Sequence, residues 1–127
     1  MNNDAEEKKF NSVVDLIVES WRLNRFTKNL AEKTDNPKIQ KRAFNQINRF
    51  EKCIQSALET HNLNLIDFTG TPYETGLPIL PINLGDFNVD DKLIIEMMIE
   101  PTIKIADTAE IVRKGAAVLK KSTTDHY

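Results

Sequence analysis

Three of the chain's five prolines and three of its four glycines fall in one stretch, TGTPYETGLPILPINLGDF, residues 69–87. No long helix can run through it, because proline removes a backbone donor and glycine loses the most entropy on ordering. The stretch divides the chain into a helix-permissive half and a half built from short elements. Yet Tyr73, Leu77, Ile79, Leu80, Ile82 and Phe87 are interleaved with the breakers, whereas flexible linkers are small and polar. It reads as the joint where the chain enters a β module. Pro78 and Pro81 place this piece at an edge or rim, since proline cannot donate to a ladder.

Before the joint, residues 5–33 contain no Gly or Pro, and Phe10, Val14, Ile17 and Trp21 recur at helical spacing. Val13, Leu16, Leu23, Phe26 and Leu30 widen that stripe, which predicts a helix packed on more than one neighbour. Trp21 and Phe26 are expected in its core. TDNP interrupts the pattern, with Asn36 as N-cap and Pro37 as first helical residue of a second helix. The second stripe is Ile39, Ala43, Ile47, Phe50, Ile54, Ala57 and His61, and Asn62 is placed to end it in a left-handed conformation. Two such helices make an antiparallel hairpin. The cheapest cover for the wide first stripe is a second copy, giving a four-helix bundle in a homodimer; docking on the C-terminal half is the competing expectation.

After residue 63 the period shortens. LIDF, DKLIIEMMIE, PTIKIAD and AEIVRKGAAVLKK read as short strands of an antiparallel sheet or small barrel, joined by NVDD and IADTA turns. Pro101 should mark a turn, bulge or edge position. Gly115 signals a bulge or a close backbone approach, and STTDHY reads as a frayed tail. The expected fold is therefore α+β, with a helical dimerisation region over residues 1–63 and a small β domain over 64–127.

Composition excludes several classes. No apolar run is long enough to span a bilayer, and MNNDAEEKK lacks the basic-then-apolar form of a signal peptide. The single cysteine, Cys53, cannot form an internal disulfide and falls on the apolar stripe of the second helix, so it is expected in the core of a cytoplasmic protein. His61 and His126 do not make a zinc site, and Asp90–Asp91 reads as a turn. No nucleophile elbow, Walker loop or dinucleotide fingerprint is present, so no catalytic residue, metal or cofactor is expected. Residues 22–52 carry nine basic and three acidic residues. Such a surface can attract nucleic acid or an acidic protein face, but its aromatics lie on the apolar stripe, so no base-stacking platform is evident and nucleic acid is not the expected partner.

The order of parts resembles GrpE, the nucleotide exchange factor of DnaK-type chaperones. FEKCIQSALETHNLNLIDFTGTPYETGL, residues 50–77, is similar to the family's helix, Leu-rich turn and following glycine–aromatic turn, with Gly70, Pro72, Tyr73 and Glu74 in that place. VVDLIVESWRLNRF, residues 13–26, is similar to the start of its short-helix region. IIEMMIEPTIKIADTAEIVRKGAAVLKK, residues 94–121, is similar to its closing strands, Arg113 standing where the family has an Arg before the last strand. The chain departs from the family at Pro78-Ile79-Leu80, Pro101-Thr102 and Arg113-Lys114-Gly115, and lacks most of the long N-terminal stalk. The resemblance implies a cytoplasmic homodimer that contacts a DnaK-type chaperone or a dedicated DnaK-like ATPase and holds its cleft open. Arg113, Lys104, Met97 and Glu100 are the implied contacts. Phe10, Val14, Ile17, Trp21, Ile47, Phe50 and Ile54 form the implied dimer and helix core. The alternative is an adaptor or structural subunit on the same scaffold.

Overall fold

The computed structural model describes residues 3–122. The chain divides into two compact units, Met1–Asn62 and Leu63–Tyr127. Helices α1 (Asn3–Glu32) and α2 (Pro37–Thr60) form the first unit. Six short strands form the second: β1 (Leu63–Ile66), β2 (Ile79–Pro81), β3 (Leu93–Glu100), β4 (Thr102–Ile105), β5 (Ile111–Arg113) and β6 (Gly115–Lys121). A single 3-10 turn, Leu84–Asp86, follows β2. The fold is thus α+β, a helical hairpin followed by a small β module. Residues 123–127, which hold nearly all of the STTDHY tail and His126, lie outside the described residues.

Local chemistry sets the hairpin. The Asn36 side chain accepts from the amides of Lys38 at 3.0 Å and Ile39 at 3.2 Å, and Pro37 needs no partner at the first helical position. The Gln40 side-chain Nε2 donates to the Ala31 carbonyl at 3.1 Å, fastening the start of α2 to the end of α1. Val14, Ile17, Val18 and Ala31 of α1 are buried, as are Ile47, Ile54 and Leu58 of α2. Phe10, Trp21 and Phe50 are only half-buried, and Arg25 lies over the Trp21 ring at 5.0 Å. Asn62 ends the helical unit in the left-handed region, at φ 56°.

Three expectations for this unit are corrected. Cys53 is exposed, not core, because it sits one position before Ile54, a 100° step off the buried stripe. Phe26 is exposed, as are Ile39 and His61 at the two ends of the second stripe. A single hairpin gives each helix one neighbour, so only the arc facing that neighbour is covered.

The β unit holds two three-stranded sheets, β1-β4-β5 and β2-β6-β3. The module is mixed rather than purely antiparallel, because β2 runs parallel to β6, with Ile79 opposite Gly115 and Pro81 opposite Ala117. The chain passes from the second sheet to the first at Pro101, which is fully buried, and returns between Arg113 and Gly115. AEIVRKGAAVLKK, expected as one strand, is therefore two strands in different sheets. The core draws on both, with Ile95, Met98, Ala117 and Leu119 from one and Leu63 and Ile103 from the other.

Thr102 joins the sheets. Its hydroxyl donates to the Pro78 carbonyl at 2.9 Å and accepts from the Gly115 amide at 3.1 Å, and the residue is fully buried. Gly115 is required by space: a Cβ there would lie 2.6 Å from Met98 Cε and 2.7 Å from both the Glu100 carbonyl and Thr102 Oγ1. The close backbone approach expected at this position is observed.

The proline- and glycine-rich stretch is ordered by the second sheet. Gly70 (φ 86°) donates to the Ile95 carbonyl at 2.8 Å, Ile95 donates to Thr71 at 2.9 Å, and Tyr73 donates to Leu93 at 2.9 Å. Residues 70–73 therefore line the outer edge of β3, while β2 lies at the opposite edge of the sheet, as the prolines require. Beyond β2 the Asn83 side chain imitates a strand residue. It donates to the Leu119 carbonyl and accepts from the Leu119 amide, each at 2.9 Å.

Two outcomes check this packing. Gly115→Ala forces backbone and Thr102 apart and should destabilise the β unit by about 1–3 kcal/mol. An unchanged thermal midpoint of the strand signal by circular dichroism contradicts the steric reading. Ile47→Asp buries a carboxylate without a partner and should melt the helices while sparing the strands; a helical signal of wild-type stability contradicts the stripe assignment.

Candidate interaction surface

The outer face of β2-β6-β3 is apolar where solvent-facing sheets are usually polar. Alternation places Ile79, Ala117, Leu119 and Ile95 inward, so Leu80, Ala116 and Val118 point outward. Register sets Leu80 beside Ala116, Ala116 beside Glu100, and Val118 beside Met97. Leu80 is 55% exposed, Met97 43%, and Ile82, just past β2, 61%. Two irregularities in β3, between Ile95 and Met97 and between Met98 and Glu100, shift its register. Each inserts one extra residue, so Met97 faces out while its neighbour Met98 is buried. Exposed Lys114, Glu96 and Lys120 stand around this patch. An apolar patch rimmed by charge is the usual form of a protein-docking site.

The four residues expected to make partner contacts divide between the sheets. Met97 and Glu100 lie on β3, in the sheet that presents the patch. Lys104 and Arg113 lie on β4 and β5 of the other sheet, with Arg113 opposite Ile103 and Lys104 opposite Ile111. The Lys104 ammonium donates to the Ile105 carbonyl at 2.7 Å and to Ala106 at 3.2 Å, so it braces the turn after β4. Leu80 and Ile82 were not foreseen as contacts. Their signal was present in the spacing of Ile79, Leu80 and Ile82 around Pro81, but assigning faces needed the β2–β6 register.

A second feature of this unit is an open cleft of about 850 Å³ between residues 70–75 and 84–92. Tyr73, Leu84, Phe87 and Val89 line it, together with Leu93 and Ile94. Asp91 tightens the adjoining turn by accepting from the Asn88 amide at 2.8 Å. Among the described residues no group of three or more His, Cys, Asp or Glu is placed to hold a metal ion.

The helical unit shows a different surface. Leu16, Leu23 and Leu30, seven residues apart on α1, are 68%, 60% and 54% exposed. Ser20 and Thr27 fall between them, so this strip of α1 carries no charge from Leu16 to Leu30. Leu23 and Thr27 line a shallow groove of about 320 Å³ together with Gln46, Phe50 and Cys53 of α2. Among the described residues, no helix is long and apolar enough to cross a membrane. Comparison with protein-family models, curated proteins and solved structures found no match.

Proposed function

We propose that this chain is a GrpE-like binding protein that contacts a DnaK-type chaperone ATPase and promotes nucleotide release without chemistry of its own. One observation carries the reading. The segments that bear the resemblance, Gly70–Glu74 and residues 94–121, are distant in sequence but pair with each other in one β module that follows a helical hairpin. The apolar outer face of β2-β6-β3 is the docking surface, with Leu80 and Met97 flanking β6, Ile82 just past β2 and Glu100 beside Ala116. Arg113 and Lys104 lie outside it and serve the other sheet.

The energetics are adequate. Opening a cleft requires tighter binding to the open state than to the closed one, and a tenfold loss of nucleotide affinity needs about 1.4 kcal/mol of difference. Burying the exposed parts of Leu80, Ile82 and Met97 is worth roughly 1 kcal/mol each. Contact by this patch with the open state alone is therefore sufficient. Two copies associate through the strip Leu16, Leu23 and Leu30, forming a four-helix bundle that presents two β modules.

Stopped-flow release of a labelled nucleotide from a bound DnaK-type ATPase tests the first part. Wild-type protein should accelerate release; the double variant Leu80→Asp, Met97→Asp should not, while it stays folded by circular dichroism at a cost of about 1 kcal/mol per strand position. Stable co-purification with no change in nucleotide off-rate supports an adaptor instead and overturns exchange. Light scattering tests the second part: the wild type should have twice the chain mass and Leu23→Asp should be monomeric. A wild-type monomer sinks the bundle.

A further inference from the structure

The outward face of α2 is a row of cations with no internal counter-charge. Lys38, Lys41, Arg42, Arg49 and Lys52 are all exposed, and Asn45 and Ser56 continue the same face. The helix has only two acids, Glu51 and Glu59, and neither lies three or four residues from any of the five. None of the five forms an ion pair among the described residues. Two cations of α1 differ: Arg22 meets Glu19 at 3.1 Å and Arg25 covers Trp21. Lys38 with Lys41 and Arg42, and Arg49 with Lys52, are like-charge pairs at spacings that destabilise a helix. An ordinary solvated face intersperses acids at those spacings.

What fits this face is decided by what it lacks. Protein interfaces are anchored by aromatic or aliphatic side chains in a desolvated centre, and this face has none. A membrane surface would need the apolar side of α2, but Ile47, Ile54 and Leu58 are buried within the hairpin. Single-stranded nucleic acid would need stacking platforms, also absent. A duplex phosphate backbone needs only a row of cations and amides, because its affinity comes from counterion release. From Lys38 to Lys52 the row runs about 21 Å along the helix. We infer that the α2 face binds the phosphate backbone of double-stranded nucleic acid without sequence preference, through Lys38, Lys41, Arg42, Arg49 and Lys52.

The probe is a short labelled DNA duplex of arbitrary sequence, read by fluorescence anisotropy with the full chain. Four or five neutralised phosphates give a log–log salt slope of about −4, a loss of a few hundredfold between about 50 and 200 mM salt. Arg49→Gln with Lys52→Gln should reduce the slope by about 2. Lys8→Gln with Lys9→Gln, an equal charge change on exposed α1 positions, should leave it unchanged. Circular dichroism checks that both variants keep the hairpin, whose buried side chains they do not touch. No binding at the lowest salt overturns the inference, as does a slope insensitive to Arg49 and Lys52. Displacement of the duplex by polyglutamate at equal charge concentration also overturns it, in favour of an acidic protein chain.

Discussion

Gly115 stands where the two sheets of the β unit meet, and there is no volume beside it for even a methyl group. Met98, the Glu100 carbonyl and the Thr102 hydroxyl all crowd the missing Cβ. That absence lets the chain leave β5 and enter β6 within one residue while its amide reaches Thr102. Thr102 in turn uses its one proton on Pro78 and one lone pair on Gly115, so a fully buried hydroxyl has both a donor and an acceptor role filled. Three sequence-distant places, at the entries to β2, β4 and β6, are fixed by one side chain. The outward face of the second sheet inherits its register from that arrangement, because Leu80, Ala116 and Glu100 all lie within two residues of it.

The helical unit depends on less. Its order comes from a single buried seam between α1 and α2, closed at one end by the Asn36 cap and the Gln40 bond to Ala31. Apolar side chains in excess of that seam remain on the surface, and Leu16, Leu23 and Leu30 form the clearest set. The unit thus has an apolar side on α1 and a cationic side on α2, produced by one sequence with two different helical periodic patterns.

Features set by a residue's immediate neighbours were legible in the sequence. Asn36 and Pro37 start a helix wherever they occur before an amphipathic run, Asn62 tolerates a left-handed conformation, and Gly115 in a strand pattern warns of close approach. Features that depend on which partner covers a residue were not. Periodicity marked Ile39 and Phe26 as apolar, but a hairpin buries only one arc of each helix. Cys53 was misplaced by a single helical step. The division of residues 109–121 into strands of different sheets, and the parallel pairing of β2 with β6, are non-local and leave no periodic trace. Lys104 stood in the sequence as an implied partner contact, whereas its ammonium bonds the carbonyls of the adjoining turn.

The second sheet takes both of its borders from residues 69–87. Residues 70–73 line one side of β3, and β2 with Asn83 lines the far side of β6, so a single segment hems the sheet left and right. Proline stands in each hem, at Pro72 and at Pro81, and a strand approaching from outside finds a donor missing on either side. Edge-to-edge recruitment of another chain is therefore disfavoured. The face across Leu80 and Met97 is the side left open, which turns recognition into a matter of shape and side-chain fit.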